Sequence, residues 1–117
     1  MTDRPNLLFI MPDQLRHDFL SCYGAGDFIQ TPHIDRIANE GVRFDCAYSQ
    51  HPLCVPARVS LLTGMNAIAT GVGGNGNYLR PDYADCGIRT WAQMLAEGGY
   101  YTSAIGKMHS YPWDLDL

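Results

Sequence analysis

The sequence predicts an α/β protein built on a mainly parallel sheet flanked by helices. Three observations predict it. An unbroken apolar run at 6–11 suits a parallel strand covered on both faces. Strand-like runs then alternate with stretches of helical period, the pattern of α/β folds. Polar clusters follow the first and last of these runs, and in open α/β sheets ligands bind at that end of the strands. Apolar residues make up 46 % of the 117 and charged residues 17 %, which excludes a disordered or fibrous chain. The net charge of −4 argues against a general nucleic-acid binder, which would carry a basic patch. The length fits one small domain or a segment of a larger one.

The elements follow in order. The first strand, 6–11, leads into Pro12, Asp13 and Gln14. Thr31-Pro32 reads as an N-cap and first helical position. Ile34, Ile37 and Ala38 repeat at helical spacing, and Gly41 closes that helix. A short strand is expected at 42–48. Cys54 opens a second helix that ends near Gly64. Residues 71–85, rich in Gly, Asn and Pro, read as a long loop. Ile88, Trp91, Ala92 and Leu95 mark a third helix, stopped by Gly98-Gly99. A last strand at 100–105 ends in Gly106-Lys107-Met108-His109. In a parallel sheet Asp13, the Cys54 helix start and Lys107 with His109 would share one edge.

The apolar run near the N-terminus is too short for a signal-peptide core or a membrane span, and no other stretch reaches membrane length. The expected compartment is the cytoplasm, or the periplasm or exterior if a leader has been removed. Cys22, Cys46, Cys54 and Cys86 form no C-x-x-C pair, which speaks against zinc, and without a secretory signal their even number is weak support for disulfides. Cys22, Cys46 and Cys86 read as small packed hydrophobes, and Tyr48 and Trp91 as packing. His17, His33 and His51 read as surface or structural residues, and Asp18 as a solvated acid.

The chemistry concentrates at Cys54-Val55-Pro56-Ala57-Arg58, followed by Ser60-Leu61-Leu62-Thr63-Gly64. Cys54 and Arg58 stand at i and i+4 and share a helix face. A helix N-terminus offers unbonded backbone N–H groups and positive dipole, so the site favours an oxyanion. The spacing from Cys to Arg is too short for the loop of cysteine phosphatases. Taken alone, Asp13 would merely cap a turn, and Lys107 and His109 would be ordinary loop residues. Their joint pattern says otherwise.

These residues resemble the sulfatase family of the alkaline-phosphatase superfamily. Cys54-Val55-Pro56-Ala57-Arg58 matches its C-x-P-x-R signature, and the stretch from Gly99 through Tyr100, Thr102, Gly106 and Lys107 to His109 matches G-Y-x-T-x-x-x-G-K-x-H. Thr31-Pro32-His33-Ile34-Asp35-Arg36-Ile37-Ala38 with Gly41-Val42-Arg43-Phe44, and Asn6-Leu7-Leu8-Phe9-Ile10 before Asp13, are also sulfatase-like. The resemblance spans nearly the whole chain in the family's order. It implies an alkaline-phosphatase-like sandwich, incomplete in this chain, with residues 1–117 as the N-terminal part of the catalytic domain.

The resemblance further implies a sulfuric ester hydrolase. Cys54 would become formylglycine, directed by Pro56 and Arg58 and made by a formylglycine-generating enzyme. One hydroxyl of its hydrate attacks sulfur, and loss of the other's proton expels sulfate. Asp13, Gln14 and modified Cys54 would hold a divalent metal, Ca²⁺ first, Mn²⁺ or Mg²⁺ next. The family often has two adjacent acids where this chain has Asp13-Gln14, so one negative charge is missing. Arg58 would position the formylglycine. Lys107 would contact both formylglycine and sulfate, His109 would assist deprotonation, and Asn75 is a further candidate substrate contact. The partner would be a sulfate-ester small molecule or a sulfated sugar, with no nucleic acid and no membrane. A phosphonate monoester or phosphodiester hydrolase of the same superfamily, or a non-catalytic fragment, are the competing readings. The family's remaining metal and sulfate ligands lie further downstream than Trp113-Asp114-Leu115-Asp116-Leu117, so the 117 residues alone are expected to be inactive.

Overall fold

The computed structural model describes residues 4–110. The chain divides into two compact units, Met1–Cys46 and Ala47–Leu117. The expectation drawn from the Trp113 to Leu117 tail lies outside the described residues.

The first unit carries two short 3-10 turns, His17–Phe19 and Ser21–Tyr23, and helix α1, Pro32–Glu40. Pro32 opens α1, where its fixed φ is already helical and its missing N–H is not needed. Gly41 closes it, its N–H 2.9 Å from the Ile37 carbonyl. Thr31 stands at the N-cap as expected, but its hydroxyl makes no capping bond. It accepts instead from the Ser21 N–H at 3.0 Å and donates to Asp35 Oδ1 at 3.0 Å. Asp35 Oδ1 also accepts from the Cys22 N–H at 2.9 Å, and Ser21 Oγ donates to the Ile29 carbonyl at 3.1 Å. Arg43 reaches the Cys22 carbonyl and lies 5.1 Å over the Tyr23 ring, while Tyr23 Oη donates to the Phe44 carbonyl. Ala25 is the one buried hydrophobic of this unit among the described residues.

The second unit is organised around α2, Cys54–Thr63. Val55, Pro56, Arg58, Val59, Ser60 and Leu62 are all buried, so α2 is covered on most of its circumference. Pro56 falls in the first turn, where an N–H has no intrahelical partner to lose. Gly64 ends α2 at φ 68°, a left-handed cap that a Cβ would strain. Helix α3, Ala67–Thr70, was not anticipated; Asn66 caps it through the Ala69 N–H at 2.9 Å. Helix α4, Trp91–Glu97, begins with a capping box in which Thr90 Oγ1 takes the Gln93 N–H and Gln93 Oε1 takes the Thr90 N–H. Ile88 therefore precedes the third predicted helix rather than opening it. The core joins Val55 and Val59 of α2 to Val72, Leu79, Tyr83 and Ile88, with Met65 packed against them. The Gly-rich loop is irregular, as its composition predicts, yet it supplies Val72, Leu79 and Tyr83 to this core. Gln93 Nε2 donates to Tyr83 Oη at 2.8 Å and ties that loop to α4.

Three expectations are not met among the described residues. No strand forms among the described residues, including 6–11, 42–48 and 100–105. A strand exists only as part of a ladder, and no ladder forms at these segments. Their apolar side chains stay in solvent: Leu8 is 85 % exposed and Ile105 97 %. Cys46 and Cys86 are exposed rather than packed, because each lies in a turn that contributes nothing to the core. Tyr48 is 86 % exposed in a coil segment before α2 and packs against no core.

Candidate active site

The site begins with an end-of-helix problem. The first N–H groups of α2 have no intrahelical acceptor, and the N-cap residue is Leu53, whose side chain cannot accept. Two residues outside the helix supply acceptors. His51 Nδ1 takes the Leu53 N–H at 3.1 Å, and Asn75 Oδ1 takes the Val55 N–H at 3.0 Å. Cys54, the first helical residue, is thereby held at the positive end of the helix, half-buried.

A second set of contacts brings the chain's last described segment to the same place. Arg58 is buried at 7 % exposure, and its Nη1 donates to the Lys107 carbonyl at 2.5 Å. The Lys107 ammonium lies 3.7 Å from Cys54 Sγ, although 53 residues separate them. Gly106 makes the approach at φ 91°, a backbone angle that costs a glycine little. His109 also takes a positive φ, 48°, and its Nδ1 is buried with no hydrogen-bond partner among the described residues. One helix start therefore carries a nucleophilic side chain and an ammonium beside it. A buried guanidinium anchors the ammonium's backbone. With positive helix dipole, ammonium and guanidinium together, the chemistry suits a tetrahedral oxyanion.

The structure thus brings together Cys54, Arg58, Lys107 and, through the Val55 N–H, Asn75. Asp13 and Gln14 belong to the first unit, where they form an exposed turn with Gln14 at φ 57°. Among the described residues no three His, Cys, Asp or Glu side chains gather as a metal cluster. His17 packs edge-on against Tyr23, and Asp18 pairs with Arg16, which holds its carboxyl below the ordinary range. The role of His51 was missed in the sequence. The signal was present, since a leucine at an N-cap leaves backbone donors that another group must satisfy.

Comparison with known proteins shows the family. The sequence profile of the sulfatase family matches residues 5–116, and the chain belongs to that family. It is 42 % identical over 108 residues to an N-acetylglucosamine-6-O-sulfatase of Bacteroides thetaiotaomicron, covering 92 % of this chain and 18 % of that protein. It is 40 % identical over 109 residues to an arylsulfatase of Clostridium perfringens, covering 93 % and 22 %. A solved structure of a complex with the substrate D-glucosamine-2-N,6-O-disulfate superposes with a TM-score of 0.71 at 40 % identity, covering 80 % of this chain and 18 % of that one. The chain spans about a fifth of the length of the curated relatives it matches.

Proposed function

We propose that this chain carries the nucleophile and an oxyanion-binding part of a sulfuric ester hydrolase. The observation that carries the reading is the Lys107 ammonium 3.7 Å from Cys54 Sγ at the start of α2. Residue 54 supplies the attacking oxygen once its thiol has been converted to formylglycine by a maturation enzyme. Lys107 holds a sulfate oxygen beside that position and offsets the charge gathering on the departing group. Arg58 fixes Lys107 through its carbonyl, so the ammonium is placed before substrate arrives. His109, whose buried Nδ1 makes no hydrogen bond among the described residues, is the group that takes and returns a proton at residue 54.

A divalent cation supplies Lewis-acid charge in this chemistry. Asp13 and Gln14 would hold it, since a carboxylate and an amide oxygen side by side suit a hard cation, Ca²⁺ before Mn²⁺ or Mg²⁺. The substrate class proposed is a sulfated sugar or small sulfate ester, supported by the sulfated-sugar names of related proteins. The sheet expected at 6–11, 42–48 and 100–105 belongs to the same proposal, and the likeness to the sulfatase structure supports it.

The test is maturation followed by assay. The protein is co-expressed with a formylglycine-generating enzyme, and intact mass at Cys54 should show sulfur and two hydrogens lost and one oxygen gained. A longer chain that carries these residues together with the family's downstream ligands, matured in the same way, is then offered matched aryl sulfate, phosphate diester and phosphonate. Preference for the sulfate supports the proposal. An unmodified Cys54, or a phosphonate or diester preference of several orders of magnitude, overturns it.

A further inference from the structure

We propose that Asn75 is a positioning residue that caps the nucleophile helix from a distance of 20 residues in the chain. The inference rests on the reading of Cys54 as the nucleophile. An N-cap side chain ordinarily accepts the N–H of the second or third helical residue. In α2 the second helical residue is Val55, and the N-cap is Leu53, which has no acceptor to offer. Asn75 Oδ1 fills that vacant role at 3.0 Å, so its carbonyl oxygen faces the helix rather than a substrate.

The surroundings suit that task. Val55 is 0 % exposed and belongs to the core, so its peptide is held from the helix side. Asn75 sits in a Gly73-Gly74-Asn75-Gly76 stretch, closed by the Asn77 N–H on the Gly74 carbonyl at 3.0 Å. Cβ atoms added at Gly73 and Gly76 would meet nothing within 4 Å, so close packing does not require glycine at either position. Val72 and Leu79, on either side of the turn, are buried in the same core as Val55. The loop is therefore anchored at both ends, and Asn75 is carried over the helix start by the packing that also holds Val55. Its bond fixes the peptide immediately after Cys54, and with it the direction in which residue 54 faces Lys107.

The test uses the 117-residue protein, with amide exchange and the NMR shifts of Cys54 as readouts that need no turnover. Asn75→Ala should speed exchange of the Val55 amide by roughly fivefold or more, the factor matching loss of a cap. It should also move the Cys54 Cβ shift. Asn75→Asp keeps an acceptor and should restore both readouts towards wild type. Asn77→Ala, in the same loop, keeps the Val55 bond and should leave both unchanged. If Asn75→Ala does not fold, Asn75→Asp decides alone, by keeping or losing Val55 protection. Wild-type exchange in Asn75→Ala, loss of protection in Asn75→Asp, or an equal effect of Asn77→Ala overturns the proposal. None of these outcomes depends on maturation of Cys54, so failure here is distinct from failure of the nucleophile reading.

Discussion

The two units are held by different forces. In Ala47–Leu117, α2 packs into an apolar core, with Val55 and Val59 fully buried and Val72, Leu79, Tyr83 and Ile88 around them. In Met1–Cys46 the organising contacts are polar: Thr31, Ser21 and Asp35 lace two turns to α1, and Arg43 and Tyr23 fasten the segment after it. A hydrogen bond contributes only about 1 kcal/mol net, because water competes for the same groups. Burial of a large apolar side chain contributes about 1.5–3 kcal/mol. Cys54, the proposed nucleophile, is thus mounted on the unit with a core, where position is over-determined. The Asp13-Gln14 turn is mounted on the unit that lacks one.

The largest expected effect is chemical. Lys107→Ala, made in a longer matured chain that carries these residues and the downstream ligands, should lower aryl-sulfate kcat/KM by about 10²–10³, as loss of one oxyanion donor does elsewhere. Lys107 is exposed, so thermal unfolding should stay close to wild type. A variant that loses stability along with rate would make Lys107 a structural residue and weaken the division of labour in the second unit.

Next comes the core. Leu79 is 1 % exposed, and Leu79→Ala should destabilise the second unit by about 2–5 kcal/mol in denaturant unfolding. Phe28 in the first unit is 82 % exposed, and Phe28→Ala should change stability by less than about 0.5 kcal/mol. The reverse ranking would break the comparison.

A smaller effect probes the polar network. Thr31→Val keeps the shape and removes the hydroxyl shared by Ser21 and Asp35. The cost should be about 1–3 kcal/mol, seen as faster amide exchange at Ser21 and Cys22. An unchanged pattern would mean that the network is not what holds α1 to the turns.

The smallest effect is electrostatic. The Arg80 guanidinium, hydrogen-bonded to Asp82, holds that carboxyl below its ordinary range. A depressed carboxylate pKa stabilises the folded chain above the ordinary Asp value, and this is lost as pH falls through the folded value. Both side chains are largely in water, where such pairs are screened, so stability should hardly respond. Arg80→Ala should nonetheless return the Asp82 titration, followed by carboxyl NMR shifts, towards the ordinary value.

Much of the second unit was legible in the sequence because its signals are local. Cys54 to Gly64 reads as a helix with a glycine stop, and the chain closes it with Gly64 at φ 68°. Thr31-Pro32 and Gly41 bracket α1 for the same reason. The three strands were not realised, because a strand depends on partners that local pattern does not supply. Helix α3 was missed because four residues give no period to read. Within the candidate site, spacing put Cys54 and Arg58 on one helix face and the family resemblance singled out Lys107, and the structure places Lys107 against both. The cap from Asn75 and the support from His51 were not, since neither position carries a mark of what it will touch.

The sequence by itself determined the family, through its two signature motifs, and the helix that starts at Cys54. Those follow from short-range spacing, capping chemistry and side-chain identity. Only the tertiary structure decided that Lys107 lies beside Cys54, that Arg58 is spent on the Lys107 carbonyl, and that a loop asparagine completes the start of α2. Those contacts join residues 20 to 53 positions apart. The Asn75 contact forms because burial of Val55, Val59, Val72 and Leu79 in one core draws the loop over the helix start, and the Lys107 contacts because buried Arg58 takes the Lys107 carbonyl, outcomes set by packing rather than by any local pattern.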